Sequence, residues 1–105
     1  MTAAASQIGR MIIKLCKAAN VVPICTVRRE EQAEFLRKEF NVPVVNMTTN
    51  HADLAKICAK EKPMACLECI AGDTTGEMLS YIGFGSTLIL YGLLSDKPAG
   101  NINVI

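Results

Sequence analysis

Small residues near the start of this chain lead directly into a helical pattern. Ser6-Gln7-Ile8-Gly9 lies between a run of small residues, Thr2 to Ala5, and a segment with amphipathic periodicity. Small residues at a strand-to-helix turn let backbone N–H groups approach a ligand closely, and the helix dipole favours an anion there. The turn therefore predicts a site for the pyrophosphate of a nucleotide. The alternative is that the small residues only allow a helix to begin against a strand.

Two adjacent arginines end the next apolar run, about 20 residues after this turn. Arg28 and Arg29 occupy the place where a dinucleotide-binding unit carries the charged residue that contacts the adenosine ribose. Arginine there, instead of Asp or Glu, favours a 2′-phosphate and predicts NADP as the cofactor. The alternative is a solvated pair of arginines in surface ion pairs with Glu30 and Glu31.

Helical and strand patterns alternate along the sequence. Periodicity and capping residues predict helices over Gln7 to Ala19, Glu30 to Phe40, a segment from the Asn50 cap that ends by Pro63, and Thr75 to Ile82. Short apolar runs predict strands over Val21 to Val27, Val42 to Val45, Met64 to Ile70 and Thr87 to Tyr91. The alternation predicts an α/β fold with a doubly wound parallel sheet.

The spacing of apolar residues predicts which face each helix buries. The first helix is expected to bury Ile8, Ile12, Leu15, Cys16 and Ala19. The later helices are expected to bury Ala33, Leu36 and Phe40, then Leu54, Ile57 and Cys58, then Met78, Leu79 and Ile82. Asn41 follows the second helix, where a left-handed residue is common.

A nucleotide-binding unit of this kind begins with a central strand that leads into the small-residue turn. Only Met1 to Ala5 precede the first helix, so the sequence predicts a domain truncated before its first strand. Two explanations remain open at this stage. The chain is a fragment of a longer protein, or another chain fills the position of the first strand.

Composition limits the classes of function. The 105 residues suffice for one small domain, and 11 Lys and Arg against 10 Asp and Glu give a formal charge of +1. Such a balance provides no broad positive field, so we expect no nucleic-acid partner. No apolar segment reaches the roughly 20 residues that span a bilayer, so no membrane span is expected.

The five cysteines are an odd number and are scattered through apolar runs, which favours a reducing compartment. Cys66 and Cys69 are three apart in a predicted strand, so their side chains point to opposite faces. There is no second cysteine pair at ligand spacing, and His51 is the only histidine. Core packing is therefore the favoured interpretation, with no metal site.

Four motifs in order resemble the cofactor domain of medium-chain dehydrogenase/reductases: Ala3 to Arg10, Thr26 to Arg29, Cys69 to Asp73 and Leu90 to Gly92. The zinc-free branch is the most similar, and within it the mitochondrial trans-2-enoyl-thioester reductases, with quinone oxidoreductases as near neighbours. The resemblance runs over nearly the whole chain. It implies that residues 1–105 form part of a Rossmann-like domain that binds NADPH.

The resemblance also implies three groups of cofactor contacts. The pyrophosphate turn would be lined by Ala5, Ser6, Gln7 and Ile8, the 2′-phosphate would be held by Arg28 and Arg29, and the nicotinamide would be bordered by Tyr91, Gly92, Leu93 and Leu94. Gly9 would permit close packing of the helix on the strand. Ala4 and Ser6 stand where the general fingerprint has glycines, a departure that narrows the approach of the backbone to the pyrophosphate.

The substrate-binding and proton-donating residues of that family lie largely in an N-terminal catalytic domain, to which nothing in this chain corresponds. The resemblance therefore implies that this chain is the NADPH-binding part of a reductase of 2-enoyl thioesters. It implies that the chain alone is inactive and carries no catalytic residue. The implied location is the mitochondrial matrix or the cytoplasm. The expected partners are NADPH and the missing catalytic domain, and a homodimer is possible. The alternatives are a quinone oxidoreductase fragment, a nucleotide sensor, or a non-catalytic assembly module whose first-strand position pairs with another chain.

Overall fold

Helices and strands alternate along the chain, as the sequence predicts. The computed structural model describes residues 1–100 and 102. The elements are α1 Gln7–Ala18, β1 Cys25–Val27, α2 Glu30–Phe40, β2 Val44–Asn46, α3 His51–Glu61, β3 Ala65–Glu68, α4 Asp73–Tyr81 and β4 Thr87–Leu90. The chain divides into two units, Met1–Asp53 and Leu54–Ile105, with the boundary inside α3. Among the described residues, no helix has the length and apolar character needed to cross a membrane.

The first unit is built on the parallel pair β1 and β2, in which Cys25 is opposite Val44 and Val27 is opposite Asn46. All residues of both strands are buried, as expected of short strands covered on both faces. Each strand is shorter than the apolar run that predicts it. Pro23 and Pro43 both precede the paired residues, because proline donates no ladder hydrogen bond.

The residues before α1 lie along the other edge of β1. The Met1 nitrogen donates to the Ile24 carbonyl at 2.7 Å, and the Thr26 N–H donates to the Met1 carbonyl at 2.9 Å. The Ala4 N–H then donates to the Thr26 carbonyl at 3.2 Å. The first two bonds follow the pattern of a parallel ladder. The position beside β1 that the sequence analysis expects to be largely empty is therefore occupied here by residues 1–4.

The core of the first unit joins both strands to the inner faces of α1 and α2. Its buried members are Ala4, Ile13, Cys25, Val27, Ala33, Leu36, Val42 and Val44, with Met1, Ala5 and Phe40 packed at its margin. The predicted inner face of α2 is confirmed by these positions. Asn41 ends α2 in the left-handed conformation with φ 52°, which also confirms the prediction.

The predicted inner face of α1 is wrong. The residues that α1 buries are Gly9 and Ile13, whereas Ile8 is 56% exposed and Leu15 is 68% exposed. Ile12 and Cys16 are half-buried, and Ala19 is exposed. The buried face is rotated toward the glycine, because the helix approaches its neighbour most closely where it has no side chain.

Gly9 allows this approach. A Cβ atom on Gly9 would lie 2.5 Å from the Ala4 carbonyl oxygen and 2.7 Å from the Ala3 carbonyl oxygen. Both neighbours are backbone atoms, which cannot move aside as a flexible side chain can. The prediction that Gly9 permits close packing of the helix on the preceding segment is confirmed.

The second unit is built on the parallel pair β3 and β4, with Ala65 opposite Thr87 and Glu68 opposite Leu90. The inner faces predicted for its helices are confirmed at Leu54, Cys58 and Met78, which are buried. Helix α4 begins at Asp73 instead of the predicted Thr75. The earlier start includes Thr74 and Thr75 among the buried residues of α4.

The substitution Gly9→Ala tests the closeness of α1. The new methyl group has no room against the two carbonyl groups, so we expect the free energy of unfolding to fall by about 1–3 kcal/mol, as in other overpacked sites. Urea unfolding followed by circular dichroism measures this change. Gly83→Ala is the matched control, because a Cβ atom there would meet only the Ser86 hydroxyl, at 3.7 Å. Equal stability of the two variants would contradict the packing argument.

Burial of Cys25 predicts a loss of stability in alkali. Burial raises the pKa of the Cys25 thiol from 9.0 to about 11. The folded state therefore binds this proton more tightly than the unfolded state. The resulting contribution to stability is complete below the lower of the two pKa values and is lost as the pH rises through the upper one.

We therefore expect the free energy of unfolding under reducing conditions to depend less steeply on pH between 9 and 11 in Cys25→Ala than in the wild type. Val27→Ala is the control for the cavity, since Val27 is buried beside Cys25 in the same strand but does not ionise. Parallel pH profiles for wild type and Cys25→Ala would show that Cys25 is not the group responsible.

Candidate cofactor-binding site

The start of α1 presents free backbone donors. Ser6 is the N-cap residue, and its Oγ accepts a hydrogen bond from the Gly9 N–H at 3.1 Å. Within residues 1–100 and 102, no acceptor pairs with the N–H groups of Gln7 and Ile8. No acidic residue lies in the first turn of α1. The helix end thus retains two N–H groups and the positive end of its dipole for an anion.

Arg28 and Arg29 follow β1 at the same edge of the first unit. The segment before α1 runs parallel to β1, so the turn at Ser6 and the residues after Val27 both lie at the carboxyl ends of neighbouring extended segments. The backbone of Arg28 is held in place because its carbonyl accepts a hydrogen bond from the Thr48 hydroxyl at 2.9 Å. Both arginines are exposed. The structure therefore brings the predicted pyrophosphate turn and the predicted 2′-phosphate residues to one edge.

Arg29 also forms one of the ion pairs of the alternative interpretation. Its guanidinium lies 3.6 Å from the Glu31 carboxylate, with both side chains more than two-thirds exposed. Such a pair contributes about 0–1 kcal/mol. Glu30 instead pairs with Arg37, at 3.5 Å. Arg29 is the N-cap residue of α2 but provides no side-chain cap, so a cation lies at the positive end of that helix.

In the second unit, the segment after β4 is held to the end of β3. The Tyr91 N–H donates to the Glu68 carbonyl and the Leu94 N–H donates to the Cys69 carbonyl, each at 2.9 Å. A Cβ atom on Gly92 would lie 2.9 Å from both the Cβ and the carbonyl oxygen of Cys69. The segment therefore needs a glycine at this point. Tyr91, Leu93 and Leu94 keep exposed side chains at the carboxyl edge of the strand pair.

The Tyr91 hydroxyl stays protonated over the physiological pH range. Tyr91 is 37% exposed, and its partial burial, followed by a side-chain hydrogen bond with Cys69, raises the pKa of Tyr91 to about 12. The phenol oxygen can accept a hydrogen bond from a ligand amide. Tyr91 is thus suited to bind a polar ring substituent, and it offers no negative charge.

Glu68 is a residue of this region that the sequence pattern does not predict. This glutamate is fully buried at the end of β3, where its carboxylate accepts hydrogen bonds from Ile70, Ala71 and Thr75. A charged residue between Leu67 and Cys69, inside an apolar run, was the available signal. A buried carboxylate with this many donors fixes the backbone around it.

The cysteines pack in the two cores. Burial raises the pKa of Cys66 and of Cys58 above the ordinary value, which favours the neutral thiol at both positions. Cys66 and Cys69 are both buried, and none of the five cysteines forms a disulfide. Among residues 1–100 and 102, no group of three or more His, Cys, Asp or Glu side chains is placed to hold a metal ion. The described residues therefore do not fit a zinc site.

Comparison with known proteins gives the family. A family model described as zinc-binding dehydrogenase matches residues 8–104. This match covers most of the chain. The chain belongs to the zinc-binding dehydrogenase family. The resemblance to medium-chain dehydrogenase/reductases found in the sequence is thereby confirmed.

Two relatives with similar sequences are mitochondrial enoyl-acyl-carrier-protein reductases. The relative from Xenopus tropicalis is 27% identical over 101 residues, which cover 89% of this chain and 28% of the relative. The relative from Yarrowia lipolytica is 26% identical over 101 residues, which cover 89% of this chain and 27% of the relative. The chain thus spans little more than a quarter of the length of these relatives.

A crystal structure from Mesorhizobium loti, of a protein assigned as an NADPH:quinone reductase, has the same fold. The two structures align with a TM-score of 0.84 at 31% sequence identity, over 97% of this chain and 30% of the other. The predicted α/β fold of Rossmann-like class is confirmed by this likeness. Cofactor contacts at the individual residues named above stay predictions.

Ser6→Ala tests the cap that shapes the start of α1. Loss of the bond from the Gly9 N–H to the Ser6 hydroxyl is expected to lower the free energy of unfolding by about 1 kcal/mol. Thermal and urea unfolding measure the change. The control is Ser80→Ala, because the Ser80 hydroxyl donates within its own helix, to the Glu77 carbonyl, and caps no helix start. A loss no larger than that of the control would mean that Ser6 is not an effective cap.

Proposed function

We propose that this chain is the NADPH-binding part of an oxidoreductase that reduces 2-enoyl thioesters. The observation that supports it most is the edge of the first unit, where the open start of α1 and the two arginines after β1 lie together. An open helix start provides N–H donors for a pyrophosphate, and guanidinium groups provide paired donors for a second phosphate. Membership of the zinc-binding dehydrogenase family supports the same assignment.

The residues present fit the phosphates of this cofactor. Gln7 and Ile8 have unpaired N–H groups in the described part of the chain, and Gly9 brings the helix to within contact of the preceding backbone. The Ser6 hydroxyl caps α1 and adds no negative charge at the start of the helix. Ala5, Ser6, Gln7 and Ile8 are therefore the proposed pyrophosphate contacts.

Arg28 and Arg29 are the proposed contacts of the 2′-phosphate. Arg29 lies at the start of α2, where the helix dipole opposes a positive charge. Its pairing with Glu31 is exposed and weak, so a phosphate dianion is a better partner for it than a single carboxylate. The proposed specificity for NADPH over NADH depends on Arg28 and Arg29.

Tyr91, Gly92, Leu93 and Leu94 are the proposed neighbours of the nicotinamide. Their segment is fixed to the end of β3, and its exposed side chains are two leucines and a neutral tyrosine. An apolar surface with one polar group is suitable for an uncharged ring with a carboxamide. Bound NADPH would supply a hydride, while this chain supplies binding and orientation and a separate catalytic domain supplies the acyl site.

The acceptor is proposed to be a 2-enoyl thioester because both curated relatives are mitochondrial enoyl-acyl-carrier-protein reductases. Their names also support a mitochondrial location, for which we propose the matrix. A quinone is the second candidate, because the similar crystal structure is assigned as an NADPH:quinone reductase. Assays of the complete protein with crotonyl thioesters and with benzoquinones distinguish the two.

Cofactor titration tests the assignment of the arginines. The double substitution Arg28→Ala and Arg29→Ala should weaken NADPH binding by roughly tenfold to a hundredfold, because charge-assisted hydrogen bonds to a phosphate are lost. Binding of NADH, which has no 2′-phosphate, should change little. Isothermal titration calorimetry with each cofactor measures both affinities.

The matched control is Lys14→Ala combined with Lys38→Ala, which removes the same charge from exposed positions on α1 and α2. This control should leave NADPH affinity within about twofold of the wild type, because exposed charges distant from the phosphates are screened. An equal loss of NADPH and NADH binding in the arginine variant would refute the assignment of the two residues. No binding of either cofactor to the wild-type chain would refute the proposed function.

A further inference from the structure

Glu68 is the one fully buried carboxylate among the described residues. Its Oε1 accepts the Ile70 N–H at 2.6 Å, and its Oε2 accepts the Ala71 N–H at 3.0 Å and the Thr75 hydroxyl at 2.7 Å. All of these donors belong to the β3–α4 turn or to the first part of α4. A carboxylate accepts at both oxygens, whereas an amide side chain offers one acceptor and two donors. The site therefore fits a side chain that accepts at two oxygens, which Gln at this position does not provide.

The turn that Glu68 holds is an unusual one. Ala71 and Gly72 both have positive φ, 62° and 59°, and a left-handed conformation is unfavourable for alanine. The Ala71 N–H is one of the groups that the carboxylate binds. The hydrogen bonds to Glu68 thus offset the cost of the backbone conformation at Ala71.

The same turn carries the acceptors for the segment after β4. Glu68, Cys69 and Ile70 provide the carbonyl groups that accept from the N–H groups of Tyr91, Leu94 and Ser95 at 2.8–2.9 Å. A change in the conformation of the turn would displace these carbonyl groups. The position of residues 91–95 therefore depends on the carboxylate of Glu68.

We propose that Glu68 is a positioning residue that holds residues 91–94 in the conformation that contacts the nicotinamide, an inference that rests on the proposed function. It acts through the backbone of the β3–α4 turn and touches no ligand itself. Its removal should therefore affect the binding of the nicotinamide half of NADPH and spare the binding of the adenosine half.

Hydrogen exchange of the chain provides the direct test. In Glu68→Gln, the amides of Leu94 and Ser95 should exchange about tenfold faster, because the turn that carries their acceptors is loosened. The Thr87 amide, which donates to Met64 at the opposite end of β4, should keep its rate. The Met47 amide in the first unit, which donates to Val27, should also keep its rate. Equal acceleration of all four amides would indicate general destabilisation and would overturn the proposal.

Thr75→Val is the second variant, in case Glu68→Gln does not fold. It removes one of the donors to the carboxylate and retains the size of the side chain and both backbone donors. A smaller acceleration, about threefold, is expected at Leu94 and Ser95 alone. Unchanged exchange at these two amides in every variant that folds would overturn the proposal.

Ligand titration separates this inference from the proposed function. NADPH should bind about tenfold more weakly to Glu68→Gln than to the wild type, whereas adenosine 2′,5′-bisphosphate, which lacks the nicotinamide, should bind both equally. Equal weakening of the two ligands, or unchanged NADPH binding, would overturn the role of Glu68 and leave the proposed function standing. Failure of the wild-type chain to bind either ligand would reject the proposed function together with this inference.

Discussion

The contact between Gly9 and the carbonyl groups of Ala3 and Ala4 determines the arrangement of the first unit. A carbonyl oxygen 2.5 Å from the place of a missing Cβ atom disfavours every residue other than glycine at this position of α1. The contact sets how α1 rotates about its axis and therefore which residues it buries. It also places the start of α1 directly after the extended segment beside β1, where the N–H groups of Gln7 and Ile8 remain available to a ligand.

The same contact explains where the sequence predicts the fold well and where it does not. In α2 and α3 the buried faces follow the spacing of large apolar residues, because those helices pack through Leu36 and Leu54. In α4 the pattern holds at Met78, whereas Thr74 and Thr75 are the other buried residues. In α1 the closest contact is made by a glycine, which a hydrophobic pattern counts as neutral. The pattern therefore predicts Ile8 and Leu15 in the core, although both are exposed. A helix that packs through a glycine shows no periodic pattern of apolar residues at the contact.

The candidate site also has some features that the sequence predicts and others that it does not. The small-residue turn and the paired arginines could be recognised from the sequence, since their positions relative to a strand and a helix follow from chain order. The hydrogen bonds of Glu68 could not, because they depend on the left-handed turn at Ala71 and on a threonine further along the chain. The sequence shows only that a charge interrupts an apolar run. Whether such a charge is buried and satisfied depends on tertiary structure.

The starts of α1 and α4 differ in electrostatics, and this difference indicates which of the two is better suited to a phosphate. At α4 the first residue is Asp73, and the buried Glu68 carboxylate accepts the Thr75 hydroxyl at 2.7 Å. These two carboxyl side chains disfavour an anion at that helix start. At α1 the first turn has no acidic residue, two N–H groups lack an acceptor in the described part of the chain, and two arginines follow the adjacent strand. Of these two, the start of α1 combines open donors with nearby positive charge, and this contrast supports the proposed assignment of the phosphates to the first unit.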